Sequence, residues 1–184
     1  LLADKNGDTI STAANTKFAD IPAHAWYSGY VKYLSNNGIT YGKSKTIFAP
    51  NDAITRAEFT TLAVRFFDVY GDGDAEIMEQ FSGFNDVSSG YWAAEYIKYA
   101  ALHGWINGYG DGSFHADREI NRAEVVTIVN RLLGREADED YIADNLRKLN
   151  TFPDVSRKHW AYYAVMEAAN AHTAVLGESE SWSK

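Results

Sequence analysis

The chain contains no cysteine among its 184 residues, which removes disulfides, cysteine-ligated zinc and thiol nucleophiles together. It is also short of cations. Lys and Arg number 17 against 25 Asp and Glu, a formal net charge of −8, and no basic stripe covers a duplex, so a general nucleic-acid binder is excluded. A local cationic site is compatible with that balance. No apolar run approaches the roughly 20 residues of a membrane span, and nothing near Leu1 has the order of an export signal. The chain does not begin with Met, and it reads as a piece of a longer protein whose targeting signal would lie upstream. The five His are scattered, with none at metal-ligand spacing, and no cofactor is expected. There is no nucleophile elbow, no metal-binding His pair and no phosphate-cradling glycine loop. The chain therefore reads as non-catalytic.

What is present is a core-forming share of apolar residues, 46%, and an abundance of aromatics, with 12 Tyr and 5 Trp. A single domain or a few small cooperating units can be built from this length, and some of the rings are free to face a ligand.

The dominant signal is an internal repeat. Phe18, Asp20, Trp26, Val31, Gly38, Gly42, Phe48, Ile54, Arg56, Ala57, Glu58 and Arg65 fall opposite Phe84, Asp86, Trp92, Ile97, Gly104, Gly108, Phe114, Ile120, Arg122, Ala123, Glu124 and Arg131, each pair 66 residues apart. A third unit opens with Phe152, Asp154, Trp160 and Val165, at a spacing of 68 from the second. His172 then stands where glycine is expected, and no Arg-Ala-Glu follows. The partition is residues 1–17 as a linker or tail, 18–70 as the first unit, 71–83 as an acidic connector, 84–134 as the second unit, 135–151 as a connector with an extra helix, and 152–184 as a partial third.

Each unit reads as helix, loop, helix, so the fold class is mainly α. Trp26, Tyr30, Val31 and Leu34, and Trp92, Tyr96, Ile97 and Ala100, read as the apolar stripe of the first helix. Gly38 and Gly104 read as its C-caps. Thr55 with Glu58, and Asn121 with Glu124, are capping boxes that open the second helix. Tyr141, Ile142, Leu146 and Leu149 recur at helical intervals, which marks the extra helix over Asp138 to Leu149. Either the segment from Leu176 to Trp182 covers the incomplete third unit, or a neighbouring chain completes it. Two acidic stretches, Asp68 to Glu79 and Asp4 to Asp8, imitate calcium loops but lack essential oxygen ligands or the glycine, so they read as solvated acidic loops with no metal.

Arg56 and Arg122 stand out on physical grounds. Each occupies the first turn of its second helix, where the unpaired N–H groups and the dipole favour an anion rather than a cation. A helix start carrying an Arg fork suits an incoming carboxylate. The plain alternative is a surface ion pair, Arg56 with Asp52 or Glu58 and Arg122 with Glu119 or Glu124. Trp26, Trp92 and Trp160 read as mostly core, with one ring edge open to a groove. Asp20, Asp86 and Asp154 read as caps or turn acceptors, or in the sharper reading as acceptors for sugar hydroxyls.

With Phe18-Ala19-Asp20, Trp26, Gly38, the loop to Phe48 and Pro50, and Ile54-Thr55-Arg56-Ala57-Glu58 in place, the first unit resembles an S-layer homology repeat. Phe84 to Arg131 resembles a second, and Phe152 to Ala171 the opening half of a third. The resemblance implies a pseudo-threefold bundle that holds anionic, pyruvylated cell-wall polysaccharide in grooves between units. Arg56, Arg122, Thr55, Asn121, Trp26, Trp92, Trp160, Asp20, Asp86 and Asp154 are then the ligand-binding candidates, and an extracellular, wall-attached location is implied. A protein assembly module is the alternative, which self-association without polysaccharide would favour.

Overall fold

The computed structural model describes residues 2–70, 83–175 and 181–183. Along the described residues the helices are α1 (Leu2–Asn6), α2 (Ser28–Asn36), α3 (Arg56–Tyr70), α4 (Ala94–Leu102), α5 (Arg122–Leu132), α6 (Glu139–Asn145) and α7 (Tyr162–Ala169). A 3₁₀ turn over Leu146–Lys148 extends α6, and two short strands, β1 (Thr173–Val175) and β2 (Ser181–Ser183), pair antiparallel with Ala174 opposite Trp182. The chain is mainly helical, as the repeat pattern implies.

Local chemistry sets the helix ends. Gly38 and Gly104 lie at φ +72° and +70°, the left-handed conformation that a side chain resists. The following N–H groups, of Ile39 and Trp105, reach back 2.9 Å to the carbonyls of Leu34 and Ala100. Ile39 and Trp105 are themselves buried, completing the apolar contact that accompanies such a cap. At the start of α3, Thr55 Oγ1 accepts from the Glu58 N–H at 3.2 Å and Glu58 Oε2 accepts from the Thr55 N–H at 2.9 Å. Asn121 and Glu124 make the same reciprocal pair on α5.

The first-helix stripe lies differently from its sequence reading. Each helix begins two residues after the tryptophan, so Trp26, Trp92 and Trp160 sit in the preceding turn and are 77%, 56% and 65% exposed. The residue after the tryptophan does the packing in the later units, where Ala93 and Ala161 are buried. Within α2 the buried residues are Ser28, Gly29 and Val31, while Tyr30 is exposed.

The largest core lies between the first two units. Ala57 and Val64 of α3, Ile97 and Ala100 of α4, Ile128 of α5 and the loop residue Phe114 form one cluster, with α3 against both α4 and α5. A second cluster joins Ile142 of α6, Tyr162 and Met166 of α7, and Trp182 of β2. The expected helix over Asp138 to Leu149 is thus present, capped by Asp138, and Trp182 packs against α6 and α7; Leu176 to Glu180 lie outside the described residues. The acidic stretch Asp72 to Glu79 also lies outside them. Asp8 and Asn6 meet the Tyr33 hydroxyl on α2, so the segment before Lys17 lies against the first unit.

Within each repeat the opening phenylalanine covers a glycine. A Cβ at Gly42 would collide with the Phe18 ring and the Ile47 carbonyl, and one at Gly108 with the Phe84 ring and the Ser113 carbonyl. Gly108→Ala should therefore lower stability by about 1–3 kcal/mol, the usual range for overpacking. Urea denaturation checks this, with a lower midpoint at unchanged slope expected.

Candidate functional site

Two grooves occupy equivalent places in the first and second units. Groove 1, of about 460 Å³, is lined by Tyr41, Lys43, Asp52, Glu58, Arg65 and Trp92 among others. Groove 2, of about 590 Å³, is lined by Arg56, Asn107, Tyr109, Arg118, Glu124, Arg131 and Trp160 among others. Shifting the first set by 66 residues places Tyr41 on Asn107, Lys43 on Tyr109, Asp52 on Arg118, Glu58 on Glu124 and Arg65 on Arg131. In both, the tryptophan at the mouth comes from the following unit.

An aspartate holds the loop that shapes each groove. Asp20 accepts the N–H groups of Phe48 (2.9 Å) and Ala49 (2.7 Å), and Asp86 those of Phe114 and His115 (both 2.7 Å). Ala49 and His115 lie at φ +60° and +55°, a left-handed conformation costing roughly 1–2 kcal/mol for a residue with a Cβ. Charge-assisted bonds from the carboxylate offset that strain. The partners are 28 and 29 residues away in the chain, whereas the sequence reading placed them in the local turn. The Phe48 N–H is the main cause that holds Asp20 below the ordinary carboxylate range. At Asp86 burial pushes the carboxyl upward, but the two N–H groups outweigh it and the net direction is again down. Asp154 is exposed, as is Phe152.

Arg56 belongs to the first unit by sequence yet forms the floor of groove 2. Its Nη1 donates to Glu124 Oε1 at 2.7 Å, its Nε to the Phe114 carbonyl at 2.8 Å, and its Nη2 to the Asn107 carbonyl at 3.3 Å. The guanidinium lies over the rings of Phe114 (4.4 Å) and Tyr109 (5.2 Å), and the residue is 5% exposed. Its partner is therefore Glu124, not Asp52 or Glu58. The helix start is occupied too, since the N–H groups of Arg56 and Ala57 donate to the carbonyls of Arg118 and Ala116 at 2.9 Å. The free donors expected there are taken by the second unit's loop, a contact across units that local sequence does not reveal. Arg122 is exposed on α5, outside the lining of both grooves, and its side chain makes no hydrogen bond or ion pair among the described residues.

Glu124 gathers the site. Its Oε2 accepts the Asn121 N–H at 3.0 Å, and its Oε1 receives Arg56, the Tyr109 hydroxyl (3.2 Å) and Arg118 Nη2. In groove 1 the equivalent Glu58 pairs with Lys43 Nζ at 2.5 Å. Burial works to raise that carboxyl, but the bonds from Lys43 and Thr55 hold it below the ordinary range. Arg118, Arg131 and Tyr109 escaped the sequence reading, although the Arg65 and Arg131 match was visible in the repeat alignment. Among the described residues no group of three His, Cys, Asp or Glu is placed to hold a metal ion, and no helix is long and apolar enough to cross a membrane.

Residues 17–60 and 83–126 each match the S-layer homology domain. Both repeats belong to the S-layer homology family. Over 181 residues, 94% of this chain, it is 31% identical to Cell surface glycoprotein 1 of Acetivibrio thermocellus. The Cellulosome-anchoring protein of the same species is 28% identical over 96% of the chain, and the Surface-layer 125 kDa protein of Lysinibacillus sphaericus 29% identical over 70%. The chain spans 7%, 37% and 11% of the length of these three relatives.

The aspartate clasp sets an acid limit. With its folded value depressed, Asp86 contributes stability above the ordinary carboxylate pKa of about 3.9, and that contribution is lost as pH falls through the lowered folded value. Asp86→Asn should lower Tm by several degrees at pH 7 and flatten the loss of Tm below about pH 4, as read by calorimetry across pH.

Proposed function

We propose that this chain is a non-catalytic module that attaches a larger protein to the bacterial cell surface by gripping anionic, pyruvylated polysaccharide of the wall. The location is extracellular, at the wall or surface layer. The names of the relatives, among them a cellulosome-anchoring protein and a surface-layer protein, support the anchoring role. The observation that carries the sugar reading is the pair of grooves, each with an exposed tryptophan at its mouth and cationic side chains on its wall. An exposed indole offers a broad flat surface that is apolar with one polar edge, and the face of a pyranose ring fits against it. Arginine adds planar recognition of a carboxylate.

In this reading Trp92 and Trp160 are sugar platforms. Arg118 and Arg131 meet the acid substituent of the glycan, and the buried Arg56 fixes the groove floor. Thr55, Asp20 and Asp86 keep the walls in place from behind, and Asn121 lines groove 2 while capping α5. Arg122, Trp26 and Asp154 are further contacts for a polymer long enough to pass beyond the grooves.

Sedimentation with purified cell wall tests the proposal. The wild-type chain should pellet with wall, and Trp92→Ala and Trp160→Ala should each weaken retention about tenfold, the equivalent of about 1.4 kcal/mol, with an unchanged circular dichroism spectrum. Retention equal to wild type in the double variant would refute the grooves as the binding surface.

A further inference from the structure

The two grooves are built on one plan, but their charges differ at matched positions. Groove 2 carries Arg56, Arg118 and Arg131 against the single carboxylate of Glu124. Groove 1 carries Lys43 and Arg65 against Asp52 and Glu58. The reversal is sharpest at one place, where Asp52 in the first unit stands opposite Arg118 in the second.

The cations also differ in availability. In groove 1, Lys43 is held by Glu58 at 2.5 Å. Arg65 is flanked by the rings of Tyr41 (4.7 Å) and Tyr96 (5.0 Å) and donates to the Tyr96 hydroxyl. In groove 2, the residues matching those two rings are Asn107 and Ala164, so Arg131 has no aromatic sandwich. It stays exposed, and the Asn107 amide lies beside it, its oxygen accepting from Arg131 Nη1 at 3.3 Å once the amide is swapped end for end. Arg118 is 41% exposed along its side chain and leans on Glu124, which Arg56 already neutralises. One carboxylate thus serves two guanidinium groups, and groove 2 is left with a surplus of positive charge over a buried floor, where an anion is attracted more strongly than in open water.

We infer that the grooves divide the polymer between them. Groove 2 takes the carboxylate-bearing sugar, groove 1 takes a neutral sugar, and the Asp52/Arg118 pair decides which does which. This rests on the polysaccharide reading above and deepens it. Groove 1 repels an acid substituent through Asp52, with its own cations committed, and offers instead the Tyr41 and Trp92 rings with hydrogen-bonding carboxylates that suit hydroxyl donors.

Isothermal titration with two probes tests it: a methyl hexoside carrying a pyruvate ketal, and the same glycoside with its carboxylate methyl-esterified. The wild-type chain should bind one equivalent of the acid. Arg118→Asp, with Arg118→Gln as the milder partner, should weaken acid binding at least tenfold. Asp52→Arg should raise the acid stoichiometry from one to two. Two acid equivalents on the wild-type chain, or no effect at Arg118, would overturn the division. If neither probe binds, the assignment of the acid sugar to groove 2 fails, whereas wall sedimentation separately decides whether the grooves hold polysaccharide at all.

Discussion

A buried ion pair between two repeats, Arg56 with Glu124, is the interaction on which the site depends. Placing a guanidinium 5% exposed beneath a groove is tolerable only because its three donor directions are met by a carboxylate and two backbone carbonyls. Such a pair adds little net stability against an apolar substitute, but breaking one side costs roughly 3–5 kcal/mol. Its role is therefore specification. It fixes the register of the first unit's second helix on the second unit's loop, and the neighbouring backbone bonds from Arg56 and Ala57 to Arg118 and Ala116 follow from that register.

The same contact explains how two copies of one motif come to act as one body. Arg56, which opens α3, belongs to the first unit, yet it lines the groove of the second. Trp92 and Trp160 do the reverse, each closing the groove of the unit before it. Neither groove can be assembled from a single repeat. The Asp20 and Asp86 clasps, by contrast, are internal to a unit and preserve the turn through Ala49 or His115 that brings the loop against the groove wall.

How much of this was legible in the sequence follows from distance along the chain. Capping boxes at Thr55 and Asn121, the left-handed glycines and the extra helix are settled by neighbours within a turn or two, and they were read correctly. The tryptophans were read as mostly core because Trp26 and Trp92 match a helical stripe; the helices start two residues later, and the rings are left outside. The partner of Arg56 lies 68 residues away, and the strand-like crossing that occupies the start of α3 comes from the other unit, so neither could be read from local pattern. Arg118 was invisible for a related reason. It matches an aspartate, and a repeat alignment draws attention to what is shared, whereas here the chemistry lies in what changed.

Arg56 and Glu124 act as one element joining the two repeats, and a double-mutant cycle measures their coupling. Arg56→Met, Glu124→Gln and the double variant should each be unfolded in urea alongside the wild type. Each single change should cost about 3 kcal/mol and the double much less than their sum, with a coupling above about 1 kcal/mol. Costs that add to within about 0.5 kcal/mol would show that the two residues do not depend on each other, and the account of how the repeats are joined would be contradicted.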